Sequence, residues 1–181
     1  IAAHTNITTI CDFRSLDVAL GGQGAPLVPL GDELFFGAYD FCLNLGGIAN
    51  ISFRKNNRRI AFDICPVNMA LNYIATACGH KFDSDGKIAA SGKLNTALLD
   101  KLNALEFYRK PYPRSLGAEW FHEYFQPVLD SSNAALNDKM NTITHHIAKQ
   151  IADSLNISDN KLNATLLVTG GGTKNKFLLQ K

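Results

Sequence analysis

The length and composition describe a chain that can bury one hydrophobic core. It has 181 residues, 46% of them hydrophobic, and a formal net charge of +2 at neutral pH. One domain is the natural count for this size. Its cations are spread along the sequence rather than collected in a basic stripe, so we expect no nucleic-acid partner. No apolar run reaches the ~20 residues that cross a bilayer, so we expect no membrane partner either.

Cysteine and histidine usage points to a cytoplasmic protein without a metal centre of its own. The four cysteines form no CxxC pair, which favours buried, reduced thiols over a disulfide or zinc site. The five histidines include no HExxH pattern, so no protein-bound metal is predicted. The chain opens at Ile1 without a methionine and closes inside an apolar helical pattern over residues 175–181, which indicates a fragment.

In chain order, the first predicted elements are strands. Residues 8–11 are β-branched and apolar, and predict a short strand that delivers Asp12 and a glycine cluster at its end. Residues 41–45, 48–53 and 59–63 predict an antiparallel meander. Its two turns are Gly46-Gly47 and Asn56-Asn57, since glycine and asparagine tolerate positive φ.

The pattern then changes to a helical period. Pro66 suits the first turn of a helix that Gly79 ends, and Asp83 or Ser84 suits the cap of the next one. Further elements are predicted as a helix around 94–102, a proline-rich loop over 108–115, a long helix over 133–155, a buried strand over 164–169 and a helix from Asn175. This order predicts an α/β layered domain.

Three glycine-rich turns, each at the end of a predicted strand, are the candidate ligand-binding elements. Without Cβ atoms, backbone N–H groups come close to phosphate oxygens. One such turn is equally well explained by positive φ alone, but three of them favour a nucleotide across one edge of a sheet. They match neither the dinucleotide nor the P-loop pattern. The turns are Gly21–Gly24, Gly46–Gly47 and Gly170–Gly172.

Five segments, in order and over the whole chain, resemble the anhydro-N-acetylmuramic acid kinase family. They are DFRSLDVALGGQGAPLVP, LNLGGIANIS, FDICPVNMALNYIA, GHKFDSDGKIAASG and VTGGGTKN. That family belongs to the sugar kinases of the actin, hexokinase and heat-shock chaperone type. The resemblance implies an actin-like ATPase lobe of ribonuclease H-like fold, with a mixed sheet whose antiparallel meander is flanked by helices.

The resemblance also implies an activity. The family uses ATP and Mg²⁺ to open 1,6-anhydro-N-acetylmuramic acid with water and to phosphorylate O6, in peptidoglycan recycling. Residues 1–181 would form one domain, most of the C-terminal lobe of a two-lobed kinase. The partners implied are the sugar and ATP, and a homodimer is allowed. The Asp-Gly-Thr/Ser phosphate loop of such kinases is not in this sequence, so we expect the 181-residue chain alone to be inactive.

By resemblance, Asp17 is the general base that takes a proton from the attacking water, a role suited to a carboxylate ionised at neutral pH. Asp12 is either a substrate residue or, more simply, a helix cap or a partner of Arg14. The other residues implied for substrate are Gly22, Gln23, Asp63 and Asn68. Those implied for ATP are Gly46, Gly47 and Asn50 at the phosphates, and Gly170, Gly171, Gly172 and Asn175 at the adenosine.

The sequence departs from the family at one turn. Residues 64–67 read Ile-Cys-Pro-Val where the family has Thr-Gly-Pro-Gly, which argues against close approach of phosphate there. Asn72 replaces a family aspartate. Asn44 and Asn50 are also explained as asparagines that stabilise a turn. Two other functions stay open: a non-catalytic nucleotide-binding lobe, which would not need Asp17, and another sugar kinase of the same superfamily.

Overall fold

A computed structural model describes residues 1–22, 24–156 and 163–181, so Gln23 lies outside the described residues. The protein is α/β, with a four-stranded mixed sheet in the order β3-β2-β1-β4. The strands are β1 (Phe41–Leu45), β2 (Ile48–Lys55), β3 (Arg58–Pro66) and β4 (Leu166–Thr169). The α-helices are α1 (Ala2–Thr5), α2 (Phe13–Ala19), α3 (Pro29–Phe36), α4 (Asn68–Ala77), α5 (Lys87–Ser91), α6 (Thr96–Asn103), α7 (Ala118–Trp120), α8 (Gln126–Asp130), α9 (Leu136–Leu155) and α10 (Lys176–Leu179). Short 3₁₀ turns cover Ser84–Gly86, Glu106–Arg109 and Gly171–Lys174, and a π-helical turn covers Phe121–Phe125.

The predicted meander is confirmed. Strand β2 pairs antiparallel with β1 on one side and with β3 on the other. The β2–β3 turn has Asn56 at φ 50° and Asn57 at φ 61°, the left-handed values that asparagine tolerates. Strand β4 pairs parallel with β1, so the two strands end at the same edge of the sheet.

One face of the sheet is apolar and forms the core. Leu43 pairs with Ile51 and Leu45 with Ala49, and all four side chains are buried on this face. The predicted long helix is confirmed as α9, which packs in the same core with Met140, Ile143 and Ile147 fully buried. The period-two pattern of the strands and the 3.6-residue stripe of the helix therefore bury their apolar sides against each other.

The opposite face of the sheet is polar, and α3 is attached to it by hydrogen bonds. Ser52 on β2 donates to the buried carboxylate of Asp32 on α3. Arg59 on β3 donates to Ser52 Oγ and forms an ion pair with Glu33 at 3.3 Å. This network places the N-terminal segment over the polar face of the sheet.

Several sequence predictions are wrong. Residues 8–11 form no strand, and Ile10 is 74% exposed. Strand β4 is an edge strand of the described sheet rather than a buried one, because β1 is its only partner there, and Leu166 is 37% exposed. Pro66 ends β3, pairing with Ile48, instead of starting a helix. Cys11 is exposed, although Cys42 and Cys65 are buried as predicted.

The helix boundaries that depend on capping agree with the sequence. Gly79 has φ 78° just beyond α4, as a left-handed stop requires. Asp83 accepts hydrogen bonds from the backbone N–H groups of Ile88 and Ala89 at 2.8 and 3.0 Å, so it caps α5.

All four cysteines are free thiols. None of the described helices has the length and apolar character to cross a membrane.

A buried histidine ties α9 to α6 and to the turn that follows it. His146 is fully buried, with Nδ1 2.7 Å from Asn103 Oδ1 and Nε2 2.9 Å from Tyr108 Oη. Gln150 Nε2 also donates to Asn103 Oδ1, and an amide oxygen can only accept hydrogen bonds. Nδ1 therefore donates, Nε2 accepts the hydroxyl proton of Tyr108, and the neutral ring satisfies the network. Burial lowers the pKa of His146 from 6.5 to about 3.

The shifted pKa of His146 predicts a pH dependence of stability. Between pH 6.5 and about 3 the unfolded chain binds a proton that the folded chain does not. The free energy of unfolding therefore falls as pH falls through this window, by about 1.4 kcal/mol per pH unit. Urea unfolding at several pH values should show a steeper acid loss for the natural chain than for His146→Gln. Equal slopes in the two proteins would contradict the neutral buried ring.

Candidate functional site

Two of the three glycine turns meet at one edge of the sheet. Gly170 follows β4 with φ 87°, and a Cβ there would lie 2.6 Å from Asn44 Oδ1 and 2.7 Å from the backbone of Leu45. Only glycine fits such a close approach at positive φ. A Cβ on Gly172 would lie 2.7 Å from the Leu45 side chain. The turn after β4 thus packs against the end of β1, immediately before Gly46.

The first turn of α4 is occupied by the β1–β2 turn. The N–H groups of Val67 and Met69 donate to Gly47 O at 2.9 and 3.1 Å, and that of Asn68 donates to Gly46 O at 3.2 Å. These three donors are therefore not free to bind a phosphate group. In a trans peptide the N–H and C=O point in opposite directions. The Gly47 N–H, which shares a peptide with the Gly46 carbonyl, therefore points away from α4.

A cleft of about 360 Å³ opens beside these turns. Gly171, Asn68 and Asn175, three residues predicted to bind substrate or nucleotide, line it. Its volume is within the range of small-molecule sites. Sequence reasoning gave no ligand-binding role to several other lining residues, although most of them lie in the quoted segments GHKFDSDGKIAASG and VTGGGTKN. These are Leu71, Asn72, Phe82, Asp83, Ser84, Asp85 and Lys174.

Asn68 and Asn175, two of the asparagines that line the cleft, have structural contacts as well. Asn68 Nδ2 donates to Leu45 O at 3.1 Å, which holds α4 against β1. Asn175 caps α10, because its Oδ1 accepts the Leu178 N–H at 3.0 Å. Phe82 differs from both, since its ring is 59% exposed at the cleft. An exposed aromatic ring beside a turn without side chains is suited to stack against a flat base.

The third glycine turn is built around Asp17. Asp17 Oδ2 accepts the Gly24 N–H at 2.7 Å, and its backbone oxygen accepts the Gly22 N–H at 2.8 Å. A Cβ on Gly22 would lie 2.2 Å from the Asp17 carboxylate, so this close packing requires glycine. Oδ1 accepts no hydrogen bond from the described residues. The loop thus holds one carboxylate oxygen and leaves the other for a ligand.

Asp63 lies on the polar face of the sheet, in a row with Asn50 and Asn44. The backbone pairs Asn44 with Asn50 and Asn50 with Asp63, and paired side chains share a face. The Asp63 carboxylate accepts the Leu116 N–H at 2.8 Å and the Ser115 hydroxyl at 3.2 Å. Burial raises the pKa of Asp63, while those two hydrogen bonds and the charge of Arg14 lower it.

Arg14 stabilises the Asp17 loop. Its Nη1 donates to Gly24 O at 2.7 Å, while its positive charge acts on Asp63. The Gly170–Gly172 turn packs against Asn44 and Leu45, immediately before Gly46, whereas the atoms nearest to Gly22 and Gly24 belong to α2. Asp12 is exposed, caps no helix with its side chain and forms no ion pair among the described residues, so neither simple interpretation of it is supported.

A mixed sheet with helices on its faces and glycine turns at one edge is the architecture of an actin-like ATPase lobe. A family model described as anhydro-N-acetylmuramic acid kinase matches residues 1–181, and this chain belongs to that family. The family is part of the actin-like ATPase sugar kinase superfamily.

Three curated relatives carry the name anhydro-N-acetylmuramic acid kinase. The proteins of Aliivibrio fischeri, Pasteurella multocida and Saccharophagus degradans are 37%, 40% and 41% identical to this chain. All of this chain aligns with them, but it covers only 51%, 50% and 50% of their lengths. The chain spans about half the length of the curated relatives it matches.

The contact of Gly170 with β1 can be tested by substitution. Gly170→Ala combines a strained φ with a collision against the backbone of Leu45, and should lower the free energy of unfolding by about 2–4 kcal/mol. Gly171→Ala is the matched control, because its Cβ would meet only Asn68 Nδ2 at 3.6 Å. That variant should stay within about 0.5 kcal/mol of the natural chain in urea unfolding. Similar stability of the two variants would contradict the described packing.

Proposed function

We propose that this chain forms most of the C-terminal lobe of an ATP-dependent kinase that opens 1,6-anhydro-N-acetylmuramic acid with water and phosphorylates O6. The products would be N-acetylmuramic acid 6-phosphate and ADP, formed in peptidoglycan recycling. The observation that carries the proposal is a family match over all 181 residues, with two glycine turns of the chain meeting beside a cleft. The free cysteines support a cytoplasmic location.

Asp17 is the proposed base. Its Oδ2 is held by the Gly24 N–H, so Oδ1 is the oxygen that takes the proton from the attacking water. The water oxygen then bonds to the anomeric carbon as the bond from that carbon to O6 breaks, and O6 takes the phosphoryl group. The residues proposed to hold the sugar are those that the family resemblance implies, namely Asp12, Gly22, Gln23, Asp63 and Asn68.

ATP is proposed to lie along the edge where β1 and β4 end. The Gly46–Gly47 turn and Asn50 face its phosphates, and the Gly170–Gly172 turn and Asn175 face its adenosine. The glycines of these two turns fit this role, because no side chain separates their backbone N–H groups from a bound nucleotide. Phe82 supplies a ring for the base. Mg²⁺ would arrive with ATP and neutralise charge that develops at the phosphates.

The two other functions differ from this proposal in their residues. A non-catalytic nucleotide-binding lobe has no use for a carboxylate held with one oxygen free, as Asp17 is. Another sugar kinase would keep the two turns at the edge and differ in the sugar contacts. The homodimer and the inactivity of the isolated 181-residue chain stay predictions.

The base assignment is tested in the intact natural protein that contains this chain. Asp17→Asn keeps an oxygen for the Gly24 N–H but cannot take a proton, so kcat should fall by about 10²–10⁴-fold with ATP binding retained. Asp100→Asn, on the exposed side of α6, is the charge-matched control. The measurement is ADP release with the 1,6-anhydro sugar and, for comparison, ordinary hexoses. An Asp17→Asn rate within a few-fold of the natural protein would remove Asp17 from this role.

The nucleotide site is tested separately, by binding to the 181-residue chain. Phe82→Ala should weaken MgADP binding by about tenfold, because stacking on a base contributes ~1–3 kcal/mol. Phe35→Ala is the control, since Phe35 is 78% exposed and lies outside the cleft. Chemical-shift titration gives the affinity and the residues affected. Equal affinity of the two variants would show that Phe82 does not contact the base.

A further inference from the structure

A second cavity, here called the basic cavity, lies away from the nucleotide cleft and has no role in the proposed reaction. Its volume is about 400 Å³, and it opens between the loop over residues 109–114 and the last turns of α9. Phe62 on the edge strand β3 also borders it. The basic cavity shares no lining residue with the nucleotide cleft.

The charges of the basic cavity are unbalanced. Four cations, Arg109, Lys110, Arg114 and Lys149, line it together with one carboxylate, Asp153. That carboxylate is paired with Lys149 at 2.8 Å. Among the described residues, the other three cations have no carboxylate within ion-pair distance. The basic cavity therefore holds a local positive charge in a chain whose net charge is only +2.

Arg114 is held in position at the wall of this cavity. Its Nη1 donates to the backbone oxygens of Phe107, Tyr108 and Lys110 at 3.1–3.3 Å. Its guanidinium carbon lies 4.8 Å from the centre of the Phe107 ring. Nη2 makes no hydrogen bond with the described residues. The guanidinium is therefore fixed before any ligand arrives, which lowers the entropy cost of binding.

The surroundings of Arg114 favour binding of an anion to its guanidinium group. Burial lowers the pKa of Arg114, and none of the described carboxylates forms an ion pair with its guanidinium. A phosphate group matches a guanidinium because its oxygens accept parallel N–H bonds. Tyr112, stacked on Phe62 with ring centres 5.3 Å apart, adds an aromatic wall beside the charges. The volume admits a small phosphate ester as well as free phosphate.

We propose that the basic cavity is a second binding site, and that it takes a small phosphate-bearing anion. Arg114 Nη2 is the fixed donor, and Arg109 and Lys110 supply two further positive charges on the exposed side of the cavity. This inference does not depend on the proposed kinase reaction.

The basic cavity is connected to Asp63 by hydrogen bonds. The Asp63 N–H donates to Arg114 O at 2.9 Å, and Arg114 Nε donates to Asp63 O at 3.4 Å. The two residues after Arg114 hold the Asp63 carboxylate. A ligand on the Arg114 guanidinium is therefore joined to a residue of the candidate sugar site through one short, hydrogen-bonded segment.

The test is a residue-resolved NMR titration of the 181-residue chain with inorganic phosphate and, in parallel, with glucose 6-phosphate. Saturable shift changes are expected at the amides of residues 109–114 and 149–154 and not at the Gly46–Gly47 or Gly170–Gly172 turns. Tighter binding of glucose 6-phosphate would identify a phosphate ester as the ligand, and equal binding would identify free phosphate. Absence of saturation, or changes confined to the glycine turns, would overturn the proposal.

Variants separate this site from general attraction to a positive chain. The double variant Arg109→Gln, Lys110→Gln removes two exposed cations of the basic cavity, and should weaken phosphate binding by about tenfold. Arg114 is left unchanged, because it also holds three carbonyl groups. The control, Arg58→Gln with Lys87→Gln, removes two exposed cations elsewhere and should bind as the natural chain does. An equal loss in both double variants would overturn the proposal.

Discussion

The position of β1 between an antiparallel and a parallel partner is the constraint on which the candidate site depends. Because β4 runs parallel to β1, both strands end at one edge of the sheet. The turn that begins at Gly170 therefore packs against Leu45, one residue before the Gly46–Gly47 turn. Any side chain at Gly170 would collide with the backbone of β1. Two segments more than a hundred residues apart in sequence thus form one surface suited to phosphate and nucleoside.

One face of the sheet forms the hydrophobic core, and the other carries the candidate ligand-binding side chains. The apolar face buries aliphatic and aromatic side chains against α4 and α9, and this core holds the strands in register. The polar face holds Asn44, Asn50 and Asp63 in one row. The candidate ligand-binding residues Asn50 and Asp63 therefore lie on the face that the core does not use.

Local patterns predicted the elements whose stability is local. The Asn56-Asn57 turn, the left-handed Gly79 and the apolar stripe of α9 were all predicted correctly, since each depends on φ preferences or on one periodicity. The wrong predictions concern segments whose structure depends on pairing between strands. Residues 8–11 have strand composition but no strand partner in the described sheet, and Pro66 completes a pairing with Ile48 before its helix begins. Periodicity carries no information on which strand finds a partner.

The sequence by itself determined the family, the antiparallel meander, the long helix and the identity of the glycine turns, because these are written in contiguous motifs and short-range periodicities. Only the tertiary structure decided that the Gly170 turn packs against Leu45 beside the Gly46–Gly47 turn, that the Gly24 N–H binds Oδ2 of Asp17, and that Phe82 borders the neighbouring cleft. It also decided that Arg114 is fixed by three carbonyl groups beside Arg109 and Lys110, two cations without an ion pair in the described part of the chain. The physical reason is that close approach and charge balance depend on distances between residues that are far apart along the chain.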